Sequence, residues 1–159
     1  MLWKFAHSPL LSLVAALLVA PVAAAQNTAA ELADPVVDRL HEQTVQFLED
    51  VSLGREEIAF ADLLTGSPLA QQTEAVQKLI DSAGTIESRY GEYQNFERID
   101  ARRIGRDLVL LKYLYKCEDF PVVWYFTFYR DFDSNDSMLD NDWITIGVRY
   151  DTELELLGF

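Results

Sequence analysis

From Val36 to Val51 apolar residues return every three or four positions: Val37, Leu40, Phe47 and Val51, with Thr44 in the same stripe and Val36 and Leu48 beside it. That period predicts a helix over about 35–53, packed along one face. Asp34-Pro35 supplies a cap followed by proline in the first turn, and Gly54 supplies a stop. Arg55 to Leu64 reads as a shorter second helix with Ile58, Phe60, Ala61 and Leu64 turned inward, broken by Thr65-Gly66. Ser67-Pro68 repeats the start signal, and a third helix runs on through Leu69, Val76, Leu79 and Ile80. Its end is open: Gly84 is one stop, Gly91 a later one.

Beyond Gly91 the apolar period falls from 3.6 towards 2. Strands are expected over 92–103, 107–117, 122–132 and 143–151. The last three are rich in β-branched and aromatic residues. Gly105 and Glu118–Pro121 mark turns, and an Asp-rich loop separates the third strand from the fourth. Three helices followed by strands on short links predict an α+β domain whose helices pack on a four-stranded antiparallel meander. The third strand is apolar on both sides. Val122, Trp124, Phe126 and Phe128 point one way, Val123, Tyr125 and Tyr129 the other. Helices can cover only one of those faces, so the other needs a curled sheet, a partner surface or a second copy of the chain.

The segment before the first helix reads differently. Lys4 precedes the apolar run Leu10–Val22, and Ala23-Ala24-Ala25 ends it. The run is too short for a membrane-spanning helix and has the plan of a secretory signal peptide, cleaved after Ala25. The expected organisation is a signal over 1–25, a tether over 26–33 and one domain over 34–159. This plan implies an exported protein, periplasmic or extracellular, with no stable membrane insertion once the signal is removed. Of the chain's net charge of −13, the signal contributes only Lys4, so the remainder stands near −14. Such a balance argues against nucleic acid as a partner. The single cysteine, Cys117, cannot form a disulfide within the chain and reads as a small strand residue. Glu153–Phe159, with Leu154, Leu156, Leu157 and Phe159, is expected to pack on the domain's edge.

Leading helices, a long hairpin and aromatic strands ending in Trp143-Ile144-Thr145-Ile146-Gly147-Val148-Arg149-Tyr150-Asp151, all behind a signal peptide, resemble the small exported members of the nuclear-transport-factor-2-like superfamily. That superfamily includes ketosteroid isomerase and is similar to cystatin-like folds. The resemblance covers most of the chain after the signal, as pattern rather than motif. It implies a curved sheet wrapped on helices around a cone-shaped pocket, and dimers that pair sheet to sheet. This chain has no clear strand pair before its third helix, which larger members carry. No catalytic motif aligns residue by residue, so no catalytic residue is carried over.

Four places could hold chemistry. The Asp-rich loop offers Asp131, Asp133, Asn135 and Asp142 at places 1, 3, 5 and 12 of a calcium loop. Against that, place 6 is Asp136 instead of glycine, place 12 is one methylene short of glutamate, and the flanks are strands; a solvated turn is the plainer reading. Arg98, Arg102, Arg103 and Arg106 crowd into nine residues of an acidic chain and are candidates for an anion-binding patch, or for a solvated hairpin end that balances nearby carboxylates. His41 lies in Leu40-His41-Glu42-Gln43-Thr44-Val45, where Val45 stands in the place of the second histidine of a zinc-protease helix, so it reads as a helix-flank residue. Finally, Tyr113, Tyr125, Tyr129 and Asp107 are candidates for a ligand pocket, where a buried carboxylate could move protons and a tyrosine could steady an oxyanion. The sequence holds no phosphate loop, dinucleotide fingerprint or nucleophile elbow.

Taken together, these features predict an exported binding or interaction module with no cofactor beyond the calcium candidate. It would be a homodimer through the open sheet face, able to take a protein or a small apolar ligand. The rival is an isomerase- or hydratase-like enzyme built on a Tyr/Asp pair.

Overall fold

The computed structural model describes residues 34–130 and 143–153. Helix α1 spans Pro35–Ser52. Asp34 caps it: its Oδ1 accepts from the Val36 amide at 3.0 Å, and its other oxygen pairs with Arg103 at 2.5 Å. That guanidinium holds the Asp34 carboxyl below the ordinary carboxylate range. At the far end Gly54 turns the chain at φ 68°, which glycine adopts without a Cβ penalty. Arg55 then folds back onto buried Asp50 at 2.5 Å.

Helix α2 spans Glu56–Leu63 and buries Ala59, Phe60 and Leu63, with Leu64 buried just beyond it. The expected inward stripe through Ile58 and Ala61 is therefore shifted: both face solvent. The Gly54 turn and the Arg55–Asp50 pair set the rotation at which α2 starts, a constraint outside its own periodicity. The expected third helix is three pieces. Pro68–Gln71 is one 3₁₀ turn, α3 spans Thr73–Ala83, and α4 spans Ile86–Tyr90. Gly84 ends α3 and Gly91 ends α4, so both stops act.

Strands β1 (Tyr93–Ile104), β2 (Leu108–Cys117), β3 (Val122–Arg130) and β4 (Trp143–Asp151) form an open antiparallel meander in the order β1-β2-β3-β4. Its inner face is set by the rows Val109–Phe128, Leu111–Phe126, Tyr113–Trp124 and Tyr115–Val122. These side chains form one core with Leu40, Phe47, Leu48 and Val51 of α1 and Phe60 and Leu63 of α2. Leu69, Val76, Leu79 and Ile80 pack against it, as their spacing predicts. Buried hydroxyls fasten helices to β4. Thr145 Oγ1 donates to the Leu63 carbonyl at 2.9 Å, and Ser67 donates to the Thr145 carbonyl. Tyr150 donates to the Ser82 carbonyl at 3.0 Å.

Three register shifts interrupt the ladder, the first at Gln94, between Tyr93 opposite Cys117 and Asn95 opposite Lys116. Ile99 is the extra residue in β1, between Arg98 opposite Tyr113 and Asp100 opposite Lys112. Ile146 is the extra residue in β4, between Thr145 opposite Phe128 and Gly147 opposite Thr127. Each bulge resets which residues face the helices, because the side-chain period in a strand is 2. Among the described residues no helix is long and apolar enough to cross a membrane.

Candidate functional site: the outer sheet face

The face turned away from the helices is fixed by the same register. Its middle row is Asp100, Lys112, Tyr125 and Arg149, one from each strand. The Tyr125 ring sits between two cations, with Arg149 4.2 Å and Lys112 5.6 Å from its centroid. Cations so placed are drawn to the ring's electron-rich face. Lys112 reaches Asp100 at 3.9 Å and Arg149 reaches Asp151 at 3.9 Å, long pairs that leave both cations to the ring. On one side of this row lie Leu114, Val123 and Asp151; on the other lie Leu110, Thr127 and Gly147, then Ile104, Leu108, Tyr129 and Ile144.

The two ends of the face differ. Towards the β1–β2 turn it is open, with Ile104 45%, Tyr129 39% and Ile146 37% exposed. Towards the β2–β3 turn it is shut, with Val123 at 0%. Ile104, Tyr129 and Ile146 lie on β1, β3 and β4, with Arg102 of β1 and Arg149 of β4 on the same face.

The inner face carries a different chemical group. Tyr113 is fully buried, and its hydroxyl meets His41 Nδ1 at 2.5 Å, the two rings nearly parallel. In the neutral tautomer with its proton on Nε2, the imidazole accepts at Nδ1 and the phenol donates. Burial pushes the Tyr113 hydroxyl up to about 12, against the pull of Arg98 and the nearby Thr44 hydroxyl. Burial lowers the His41 pKa, helped by Arg98 and opposed by Asp38 and Glu42. A ring that resists protonation only when folded makes the fold weaker in acid. Stability is therefore expected to be full above the unfolded value of 6.5, to fall as pH drops towards the depressed folded value, and then to level off. His41→Gln keeps an acceptor for Tyr113 and should flatten that stretch of the profile. Urea midpoints measured at half-unit pH steps check it, and an unchanged slope in the variant would assign the dependence to other groups.

The four pocket candidates do not come together. Tyr113 lies on the inner face and Tyr125 and Tyr129 on the outer. Asp107 precedes β2 at the hairpin turn, where its carbonyl accepts from the Arg130 amide at 2.9 Å. The partner of Tyr113 is a histidine on α1, and no Tyr/Asp pair forms from these residues. The arginines divide as well. Arg98 and Arg103 share the inner parity, Arg102 the outer, and Arg106 sits in the turn. Arg103 is occupied by Asp34 and by the Trp143 ring, 5.7 Å from its guanidinium carbon. The expected single patch is thus split by strand alternation and by the bulge at Ile99. Asp131, Asp133, Asn135 and Asp142 lie outside the described residues. Among the described residues, no group of three or more His, Cys, Asp or Glu side chains is placed to hold a metal ion. Cys117 is buried and free, its thiol pushed up by burial and by Glu87.

A cavity of about 310 Å³ opens between α1, the end of α2 and the start of β4, lined by Arg39, Leu40, Gln43, Asp62, Thr65 and Trp143. Its carboxylate, Asp62, is exposed and no tyrosine lines it.

Sequence reasoning missed the Lys112–Tyr125–Arg149 row. The signal was present in the alternation of each strand, but it becomes a row only once the register is known. It also undervalued His41, whose partner is 72 residues away. No family model, no curated protein and no solved structure matches the chain.

Proposed function

We propose that this protein is an exported, non-enzymatic interaction module that pairs with a second copy of itself through the open end of the outer sheet face. The observation that carries the reading is the exposure of Ile104, Tyr129 and Ile146 on a face that the helices leave alone. A two-fold contact places the same patch against itself, so it must be self-complementary. This face satisfies that demand: apolar residues occupy its open end, and the flanking Lys112, Arg149, Asp100 and Asp151 offer both signs of charge. The separation of Tyr113 from Tyr125, Tyr129 and Asp107 supports a binding role over acid–base catalysis. The order of helices before an open meander supports the resemblance to the nuclear-transport-factor-2-like superfamily and its sheet-to-sheet dimers.

Light scattering on the chain without residues 1–25 is expected to return twice the monomer mass at micromolar concentration. Ile104→Lys with Ile146→Lys should return the monomer mass with little change in Tm, since both side chains are exposed. A monomer in the unsubstituted chain would remove the reading.

A further inference from the structure

The middle row of the outer face reads Asp100, Lys112, Tyr125, Arg149 from β1 to β4. Its two ends carry opposite charges, and its centre sets a cation beside a ring. Reversed and laid upon itself, the row matches at every place: carboxylate on guanidinium, ammonium on ring, ring on ammonium, guanidinium on carboxylate. The side chains of Asp100, Lys112 and Arg149 keep 34%, 25% and 60% of their surface open, so all three can meet a second surface.

We propose that two copies of the chain stack outer face to outer face about a two-fold axis that runs along the strands, midway between β2 and β3. The register rests on the copy-to-copy contact proposed above and gives it a geometry. Sheets stacked with aligned strands lie about 10 Å apart, so that opposed side chains interdigitate. An axis along the strands sets β1 over the partner's β4 and β2 over the partner's β3, and leaves each row at its own level. Asp100 then faces the partner's Arg149, and Lys112 faces the partner's Tyr125. One row towards the open end, Arg102 faces the partner's Gly147, where no side chain contests its space, and Leu110 faces the partner's Thr127. In the end row Ile104 faces the partner's Ile144, and Leu108 faces the partner's Tyr129. One row the other way the match fails, because Glu97 faces the partner's Asp151. Like charges therefore bound the contact on the side of Val123 and leave the open end inside it.

The other axis that keeps the strands aligned runs across them and sets each strand over itself. Placed on the middle row, it puts Asp100 against the partner's Asp100 and Arg149 against the partner's Arg149. Placed on the end row, it leaves the middle row unmatched. Only the axis along the strands satisfies the charges and the apolar end together.

The test measures the dimer dissociation constant of the full chain by light scattering on dilution, for Asp100→Arg, Arg149→Asp and both together. Each single change is expected to raise the constant about tenfold, because the two-fold repeats every altered contact. The double variant should return to within about threefold of the unsubstituted chain, since the reversed charges match again. Within one copy residues 100 and 149 stand three strand spacings apart, about 14 Å, farther than charges act through physiological salt. Restoration therefore has to come from across the contact. Single changes without effect, or a double variant no tighter than the singles, would overturn this register and leave the dimer itself standing. A monomer in the unsubstituted chain overturns both. If a charge reversal prevents folding, Asp100→Asn and Arg149→Gln decide instead: together they should weaken the dimer no more than either alone, and additive losses overturn the register.

Discussion

Phe47→Ala is expected to cost about 3–5 kcal/mol, more than any other single truncation proposed for this domain. Phe47 comes from the middle of α1, and its ring is the meeting point of helix and sheet. It stands edge-on to Phe60 of α2 at 5.0 Å, to Trp124 of β3 at 5.2 Å and to Phe126 at 5.4 Å, at angles of 84°, 74° and 78°. Removing it takes away the buried ring area and leaves a cavity walled by three rigid aromatic rings, which relax poorly into the space. Each edge-to-face contact adds about 0.5–1.5 kcal/mol beyond area. Against a total stability of about 5–15 kcal/mol, the variant should lose a large share. Urea unfolding followed by circular dichroism reads it as a lower midpoint with an unchanged slope. Ile58→Ala, on the exposed side of α2, should stay within about 0.5 kcal/mol. Equal losses at the two sites would mean that the core is not centred on Phe47.

Gly91→Ala is expected to rank next, at about 2–3 kcal/mol. Gly91 joins α4 to β1 at φ 90°, where an L side chain is strained. A Cβ there would also meet the Asp119 amide nitrogen and the Glu118 Cβ, each at 2.9 Å. That collision is with the β2–β3 turn, which hangs on this point by the Asp119 amide bonded to the Tyr90 carbonyl at 2.9 Å and the Glu118 amide bonded to the Glu92 carbonyl at 3.0 Å. A backbone nitrogen and a Cβ fixed directly to backbone leave no flexible side-chain end to yield. Gly105→Ala is the control. It has a similar positive φ, 62°, but nothing within 4 Å of the added atom, so it bears the conformational penalty without the collision. A Gly91→Ala loss no greater than that of Gly105→Ala, in the same urea assay, would show that the turn can move away.

The strands are legible in the sequence to within a residue or two: 92–103 against Tyr93–Ile104, 107–117 against Leu108–Cys117, and 143–151 against Trp143–Asp151. Strong alternation between turn residues is a local property, and α1 is legible for the same reason. The features that escape a linear reading are relational. The rotation of α2 depends on Arg55 meeting Asp50. The bulges at Ile99 and Ile146 exist only as two residues set against one on another strand. Without the bulge at Ile99, Arg98 and Asp100 would share a face, and the cluster of arginines would look far more like a patch. The candidate site suffers most, because a site is an arrangement across elements. Tyr113 and Tyr125 look alike along the chain, yet one ends against a half-buried imidazole and the other between two cations.

The arginines that fail to make a patch have a different consequence. Strand β1 is an edge of the meander, pairing with β2 on one side only among the described residues. An edge with free amides and carbonyls is a template on which another chain can add a strand. Over Glu97-Arg98-Ile99-Asp100-Ala101-Arg102-Arg103 this edge presents a charged side chain at almost every step, plus a bulge that breaks its straightness. An incoming strand would have to desolvate those charges and match an irregular ladder. The hairpin's charge thus guards this edge against fibre-like growth.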